Sequence, residues 1–286
     1  RCRKVEPGKT PYVVLADTVT RNDSILYAEL FNKDTGKPYI LQLTGLAEDT
    51  FRLHINEKEP LKKRYEVQNA LQYPPRHGEL KITEKTADSV TVTSSGNKAI
   101  LHFNPFRIDL YSGEQLVISA NARGLMRFEH LRTKSEKKEG ADEEVVEEPQ
   151  YPGDGAEDDP GAWEENFKSH HDSKPYGPEA VALDFSFPGA EHAYGIPQHA
   201  DSFALRSTKG SDPYRLYNLD VFEYEVNERM ALYGSIPVLY AHGKERTSGV
   251  FWHNAAETWV DILSSADNNV VESIVNFVSG SAKKPQ

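Results

Sequence analysis

From Tyr12 to His130 the chain alternates apolar and polar residues in short runs closed by turn-forming residues, and this rhythm constrains its fold more than any other feature. Ile25-Leu26-Tyr27-Ala28-Glu29-Leu30-Phe31, Phe51-Arg52-Leu53-His54-Ile55 and Ser89-Val90-Thr91-Val92-Thr93 are examples; Ile100–Phe103, Phe106–Tyr111 and Leu116–Ser119 follow. Successive side chains of a strand point to opposite faces, so a period of two gives one face to a core and the other to water. Between the runs stand Lys33-Asp34-Thr35-Gly36, Ser94-Ser95-Gly96-Asn97 and Tyr111-Ser112-Gly113, residues that accept the backbone angles of tight turns. Turns spaced about 8–12 residues apart predict a mainly β protein, an antiparallel sandwich that needs no helices.

A different composition interrupts the pattern. Between Ser135 and Pro160 stand eleven acidic residues and two lysines, which account for most of the formal net charge of −11. That charge, the scarcity of aromatics, and Pro149, Pro152, Pro160, Gly153, Gly155 and Gly161 predict an acidic, disordered insertion over 135–162, cut readily at Lys134, Lys137 and Lys138. A solvated loop and a docking tail for a basic partner both fit it. The rest of the chain is nearly balanced in charge, which gives no footprint for nucleic acid and no polybasic patch for a membrane surface. No run approaches the ~20 apolar residues of a spanning helix, so no membrane insertion is expected.

Strand signals resume at Val181–Phe187 and continue to Ile262 through the most aromatic part of the chain. Tyr214–Tyr224, Ala231–Leu239 and Gly249–Trp259 set Asn218, Asp220, His253, Asn254 and Glu257 among rings. Aromatic faces beside carboxylates and amides suit a ligand with both C–H faces and hydroxyls, such as a sugar. The alternative is an aromatic-rich β core with polar residues at its edges. Read as a strand, 218–224 projects Asn218, Asp220, Phe222 and Tyr224 to one face and Leu219 and Val221 to the other. Asp220 then either accepts two sugar hydroxyls or pairs with Arg215 or Arg229. Further on, Asn269 and Glu272 have capping-box spacing, and apolar residues at 270, 271, 274, 275 and 278 predict a helix from Val270 to Val278, stopped by Gly280.

The chain has no G-x-S-x-G elbow, P-loop, H-E-x-x-H motif or cysteine pair for zinc, so no metal and no cofactor is expected. His170-His171 with Asp172, and His192 with His199 and Asp201, match no standard ligand spacing. The first group reads as loop histidines; His199-Ala200-Asp201-Ser202 follows Tyr194-Gly195-Ile196-Pro197, whose glycine and proline predict an exposed turn suited to binding. The single cysteine, Cys2, lies among Arg1, Arg3 and Lys4 and is either a free thiol or half of a disulfide whose partner precedes the chain. Asn22-Asp23-Ser24 is a glycosylation sequon, a vote for a secretory compartment. No charged-then-apolar leader follows Arg1, which predicts a targeting signal removed or lying outside the chain.

Tyr194–Asp201, Tyr214–Phe222, Leu232–Leu239, Phe251–Asp261 and the earlier Gly161-Ala162-Trp163-Glu164-Glu165 together resemble the retaining glycoside hydrolases of family 31, in their endoplasmic-reticulum α-glucosidase branch. The resemblance runs from about Pro7 to the end, acidic insertion included. It implies a galactose-mutarotase-like β-sandwich, with 1–134 as its first part, 135–162 as insertion and 163–286 as its second part, ending in the connection toward a (β/α)8 barrel that is not in this chain. The two catalytic carboxylates of a retaining mechanism belong to that barrel, so no catalytic residue is expected here.

The resemblance further implies that one sandwich loop enters the active-site mouth. By it, Asp220 would hydrogen-bond hydroxyls of the substrate sugar and Phe222 would stack near the neighbouring sugar. Cys2 falls where the family has the second of a close cysteine pair, the first lying outside this chain; the sequon at Asn22 departs in position from the family. The implied activity is trimming of α-1,3-linked glucose from N-linked glycans in the endoplasmic-reticulum lumen. The implied partners are the catalytic barrel chain, a non-catalytic β subunit and glucosylated high-mannose N-glycans. The alternative from another class is a non-catalytic carbohydrate-binding or interaction sandwich.

Overall fold

The computed structural model describes residues 9–134 and 162–264. Cys2, most of the acidic insertion and the expected helix Val270–Val278 lie outside the described residues. The chain divides into two compact units: Arg1–Tyr65 with Asn69–Pro188, and Glu66–Gln68 with Gly189–Gln286.

The first unit is a sandwich of two antiparallel sheets. One sheet holds β1 (Tyr12–Val14), β2 (Thr20–Asn22), β3 (Ile25–Asn32), β4 (Lys37–Leu46) and β5 (Thr50–Glu57), in the order β1-β3-β4-β5 with β2 also on β3. A single 3-10 turn, Ala16–Thr18, joins β1 to β2. The period of two in the sequence becomes strict alternation in β3, where Leu26, Ala28 and Leu30 are buried and their neighbours are not. Each of the three faces its counterpart in β4, pairing as Leu26 with Leu43, Ala28 with Leu41 and Leu30 with Tyr39.

The second sheet is built from β6 (Lys81–Lys85), β7 (Ser89–Ser94), β8 (Asn97–His102), β9 (Arg107–Ser112) and β10 (Gln115–Ala120). Its Val90, Val92, Leu101 and Ile108 close the core against the first sheet. Each such large side chain removed from water contributes about 1.5–3 kcal/mol, which makes this face the main source of stability. Ser95 and Gly96, both at positive φ (50° and 86°), make the two-residue turn between β7 and β8; its twist matches that of the strands it joins.

After β11 (Arg127–Phe128), the stretch beyond the insertion returns to the same unit. β12 (Glu164–Phe167) and β13 (His170–Ser173) form an exposed hairpin, β14 (Val181–Ala182) pairs with β11, and β15 (Phe185–Ser186) extends the second sheet beside β10. Val181–Phe187, expected as one strand, is therefore two short ones in different sheets. Asp184 stands between them, and its carboxylate accepts the N–H groups of Arg123 (2.8 Å) and Leu125 (2.9 Å), so the ladder is interrupted there.

The second unit carries β16 (His192–Gly195), β17 (Tyr214–Leu216), β18 (Val238–His242), β19 (Thr247–Phe251) and β20 (Thr258–Val260). β16, β18 and β19 make a three-stranded antiparallel sheet, and β17 pairs with β20. Ile196, Tyr214 and Leu216 form its buried centre, with Leu205, Leu239, Val260 and Ile262 packed around them. No helix among the described residues is long and apolar enough to cross a membrane.

Candidate functional site

β17 stops at Leu216, and the chain leaves it as a loop that returns at Ala231. Asp220 and Phe222 lie on this loop, not on a strand, which corrects the expectation that 218–224 forms one. The physical reason lies in where the backbone hydrogen bonds go. Leu219 N–H bonds the Leu232 carbonyl (2.7 Å) and Asn227 N–H bonds the Ala200 carbonyl (2.6 Å), so both ends are tied, but among the described residues no strand lies alongside to make a ladder. Asn218, Asp220, Glu223, Glu225 and Glu228 are exposed, and Asn227 turns the chain at φ 66°.

The stem of the loop is held by a charge cluster around a buried carboxylate. Asp201 has a side chain only 2% exposed. Its carboxylate accepts hydrogen bonds from the Tyr214 hydroxyl (2.7 Å), the Ser202 N–H (2.8 Å) and Arg206 Nε (3.2 Å). Burial pushes this carboxyl up, but the bonds from Tyr214, Ser202 and Arg206 outweigh burial and hold it below the usual aspartate value. The Tyr214 hydroxyl is pushed up, by burial first and by its bond to Asp201 next. Arg206 also donates to the Asn227 carbonyl (2.6 Å), and Arg229 donates to the carbonyls of Ser207 (2.7 Å) and Asp212 (3.1 Å) and to the Ser211 hydroxyl. The two arginines thus clamp the returning limb of the loop to the segment 206–212.

Above this stem the tip is open. The Phe222 ring is wholly exposed, Asp220 is exposed, and the Tyr233 hydroxyl donates to the Val221 carbonyl between them (2.9 Å). Neither arginine proposed as a partner reaches Asp220. Arg215 is bonded to Glu257 (2.6 Å) and lies over the Tyr217 and Trp259 rings at 4.5 and 5.2 Å, while Arg229 is taken up below. Among the described residues Asp220 has no ion pair, so its carboxylate keeps its full capacity to accept. Beside the tip, Glu223, Tyr224, Glu225, Glu228 and Met230 line an open notch of about 480 Å³.

His199 belongs to the support and not to the tip. Its Nε2 donates to the Arg215 carbonyl (2.8 Å) and its ring meets Tyr214 edge-on at 5.2 Å. His170 and His171 lie exposed on the β12–β13 hairpin, where His171 bonds the Asn166 side chain (2.6 Å). Among the described residues no group of three or more His, Cys, Asp or Glu side chains is placed to hold a metal ion. The sequence singles out Asp220 and reads His199–Ser202 as an exposed binding turn; the structure instead buries the Asp201 side chain in the stem, where it is held by Arg206, a residue that no motif marks.

A family model, the glycosyl hydrolase 31 N-terminal galactose mutarotase-like domain, matches residues 40–261. The chain is 46% identical to neutral alpha-glucosidase AB of Mus musculus and 43% identical to that of Homo sapiens, over 100% of this chain and 32% of each relative. It is 36% identical to a probable glucan 1,3-alpha-glucosidase of Arabidopsis thaliana, over 93% of the chain and 29% of the relative. It thus spans about a third of the length of the curated relatives it matches. A crystal structure of glucosidase II alpha subunit bound to alpha3-Glc2 is similar at a TM-score of 0.74 and 33% identity, over 91% of this chain and 29% of that one. So is the catalytic subunit in a heterodimeric ER glucosidase II complex with the binding domain of a regulatory subunit, at a TM-score of 0.73 and 34% identity, over 89% and 29%.

Proposed function

Because this chain belongs to the glycosyl hydrolase 31 family, as its N-terminal galactose mutarotase-like domain, we propose that it is the N-terminal part of an α-glucosidase of the endoplasmic-reticulum lumen. The whole enzyme removes α-1,3-linked glucose from N-linked glycans by retaining hydrolysis and works with a non-catalytic β subunit. Its nucleophile and acid/base, which a retaining mechanism sets about 5–5.5 Å apart, belong to the catalytic barrel chain. The family match over 40–261 supports treating the stretches 1–134 and 163–286 as parts of one domain around the insertion.

One observation carries the reading at the level of residues: a stem tied by Asp201, Arg206 and Arg229 presents, among the described residues, Asp220 without an ion-pair partner and Phe222 with its ring wholly exposed. A carboxylate that accepts from two sugar hydroxyls and a ring that covers a neighbouring sugar face are what such a tip supplies. The pre-tied stem lowers the ordering cost on binding, since the loop ends do not need to be fixed by the sugar.

The test uses the assembled enzyme, this chain with its catalytic remainder, on an α-1,3-linked glucose disaccharide. Asp220→Ala is expected to lower kcat/KM by about 10- to 100-fold, the loss of hydrogen bonds to a charged group worth about 1.5–3 kcal/mol, with the melting temperature unchanged. Phe222→Ala is expected to cost less, about tenfold at most, and to act on the disaccharide more than on an aryl glucoside that lacks the second sugar. Unchanged kinetics in Asp220→Ala would remove the loop from the substrate site.

A further inference from the structure

Asn22 is the last residue of β2, the short strand that runs back into β3 through the two-residue turn Asp23-Ser24. Asp23 makes that turn at φ 42°, a conformation that aspartate tolerates. All three residues of β2 are exposed, and among the described residues the strand pairs with β3 alone, so its outer edge is open. Arg21 is paired with Leu26, on the core side of the sheet, and its guanidinium bonds the Leu80 carbonyl (2.6 Å) and the Asp23 carbonyl (3.3 Å). Asn22 pairs with Ile25 and so projects to the opposite side, away from the core. Its carboxamide takes part in none of the hydrogen bonds described.

We propose that Asn22 carries an N-linked glycan. The proposal rests on the lumenal reading above, because the transfer needs a lipid-pyrophosphate-linked oligosaccharide as donor. Asn22 Nδ2 attacks the anomeric carbon, the N–C bond forms as the bond from that carbon to the phosphate oxygen breaks, the lipid pyrophosphate leaves with the electron pair, and one amide proton goes to a base. The folded product has room for the addition: the side chain lies at an exposed turn, on the side of the sheet that packs no core. A bulky hydrophilic group there also shields a short edge strand that would otherwise offer free N–H and C=O groups to another chain.

The experiment compares the full enzyme, made in a eukaryotic cell, before and after treatment with an amidase that removes N-glycans. Heavy-oxygen water marks the aspartate left at position 22. The expected result is a mobility shift on treatment, heavy oxygen at position 22, and loss of both in Asn22→Gln and in Ser24→Ala. A control separates the site from the compartment. Glu48→Asn completes a second sequon with Asp49 and Thr50 at an exposed position whose φ of 63° asparagine accepts. An untreated-size wild type beside a shifted Glu48→Asn overturns the glycan at Asn22 and leaves the lumenal reading standing. No shift in either overturns both.

Discussion

At the scale of single residues, Asp201 decides whether the loop stem exists. Its carboxylate is almost fully buried and accepts from Tyr214 and Arg206, so Asp201→Asn trades charge-assisted bonds for weaker ones and leaves Arg206 without its counter-charge. The expected cost is about 2–3 kcal/mol, read as a lower denaturation midpoint, with Phe222 still exposed. The effect has a pH signature. Because the folded carboxyl is held below its unfolded value, its contribution is complete above the ordinary aspartate range and is lost as pH falls through the lowered folded value. Wild-type stability should therefore drop below about pH 4 more steeply than that of Asp201→Asn, and equal slopes in that window would show that the cluster is not held as an ion pair.

At the scale of elements, two glycines separate a turn requirement from a packing requirement. Gly195 ends β16 at φ 108°, and a Cβ added there would overlap the Val238 carbonyl oxygen, which accepts the Ile196 N–H. Gly195→Ala must both strain the backbone and push β18 away; a loss of about 2 kcal/mol or more is expected. Gly96 also has positive φ, 86°, yet a Cβ there meets nothing within 4 Å. Gly96→Asn should therefore cost under about 1 kcal/mol, since asparagine accepts the left-handed region. Denaturant titration of the two variants checks the order; equal losses would mean that packing at Val238 is not limiting.

At the scale of the whole molecule, the stretch after the insertion is not an appendage. β14 lies on β11, β15 lies on β10, Asp184 caps the Arg123–Leu125 turn, and Arg64 donates to the Glu179 carbonyl (3.1 Å). A single protease cut between Lys134 and Ala162 should therefore leave the two pieces of the first unit joined. Trypsin followed by size-exclusion chromatography is expected to give two bands on a denaturing gel and one native peak at the uncut position; two native peaks would mean that the pairing does not hold without the covalent link.

How much of this was legible in the chain depends on range. Alternation in Ile25–Phe31 and the turn residues at 33–36 and 94–97 were enough for an antiparallel sandwich, because side-chain period and turn geometry are local properties. The aromatic stretch marks the candidate loop, on which Asp220 and Phe222 are exposed. The sequence by itself could not say that 218–224 leaves the sheet, that Val181–Phe187 breaks at Asp184, or that Arg215 and Arg229 are spent on Glu257 and on the carbonyls of 207 and 212. Those outcomes turn on which distant donors meet which acceptors, as Asp184 meets Arg123 and Leu125, or Asp201 meets Arg206 and Tyr214. Local pattern determined the strands of the two main sheets before the insertion; only the folded chain decided where each buried polar group found its partner, since an unpaired one is too costly to leave.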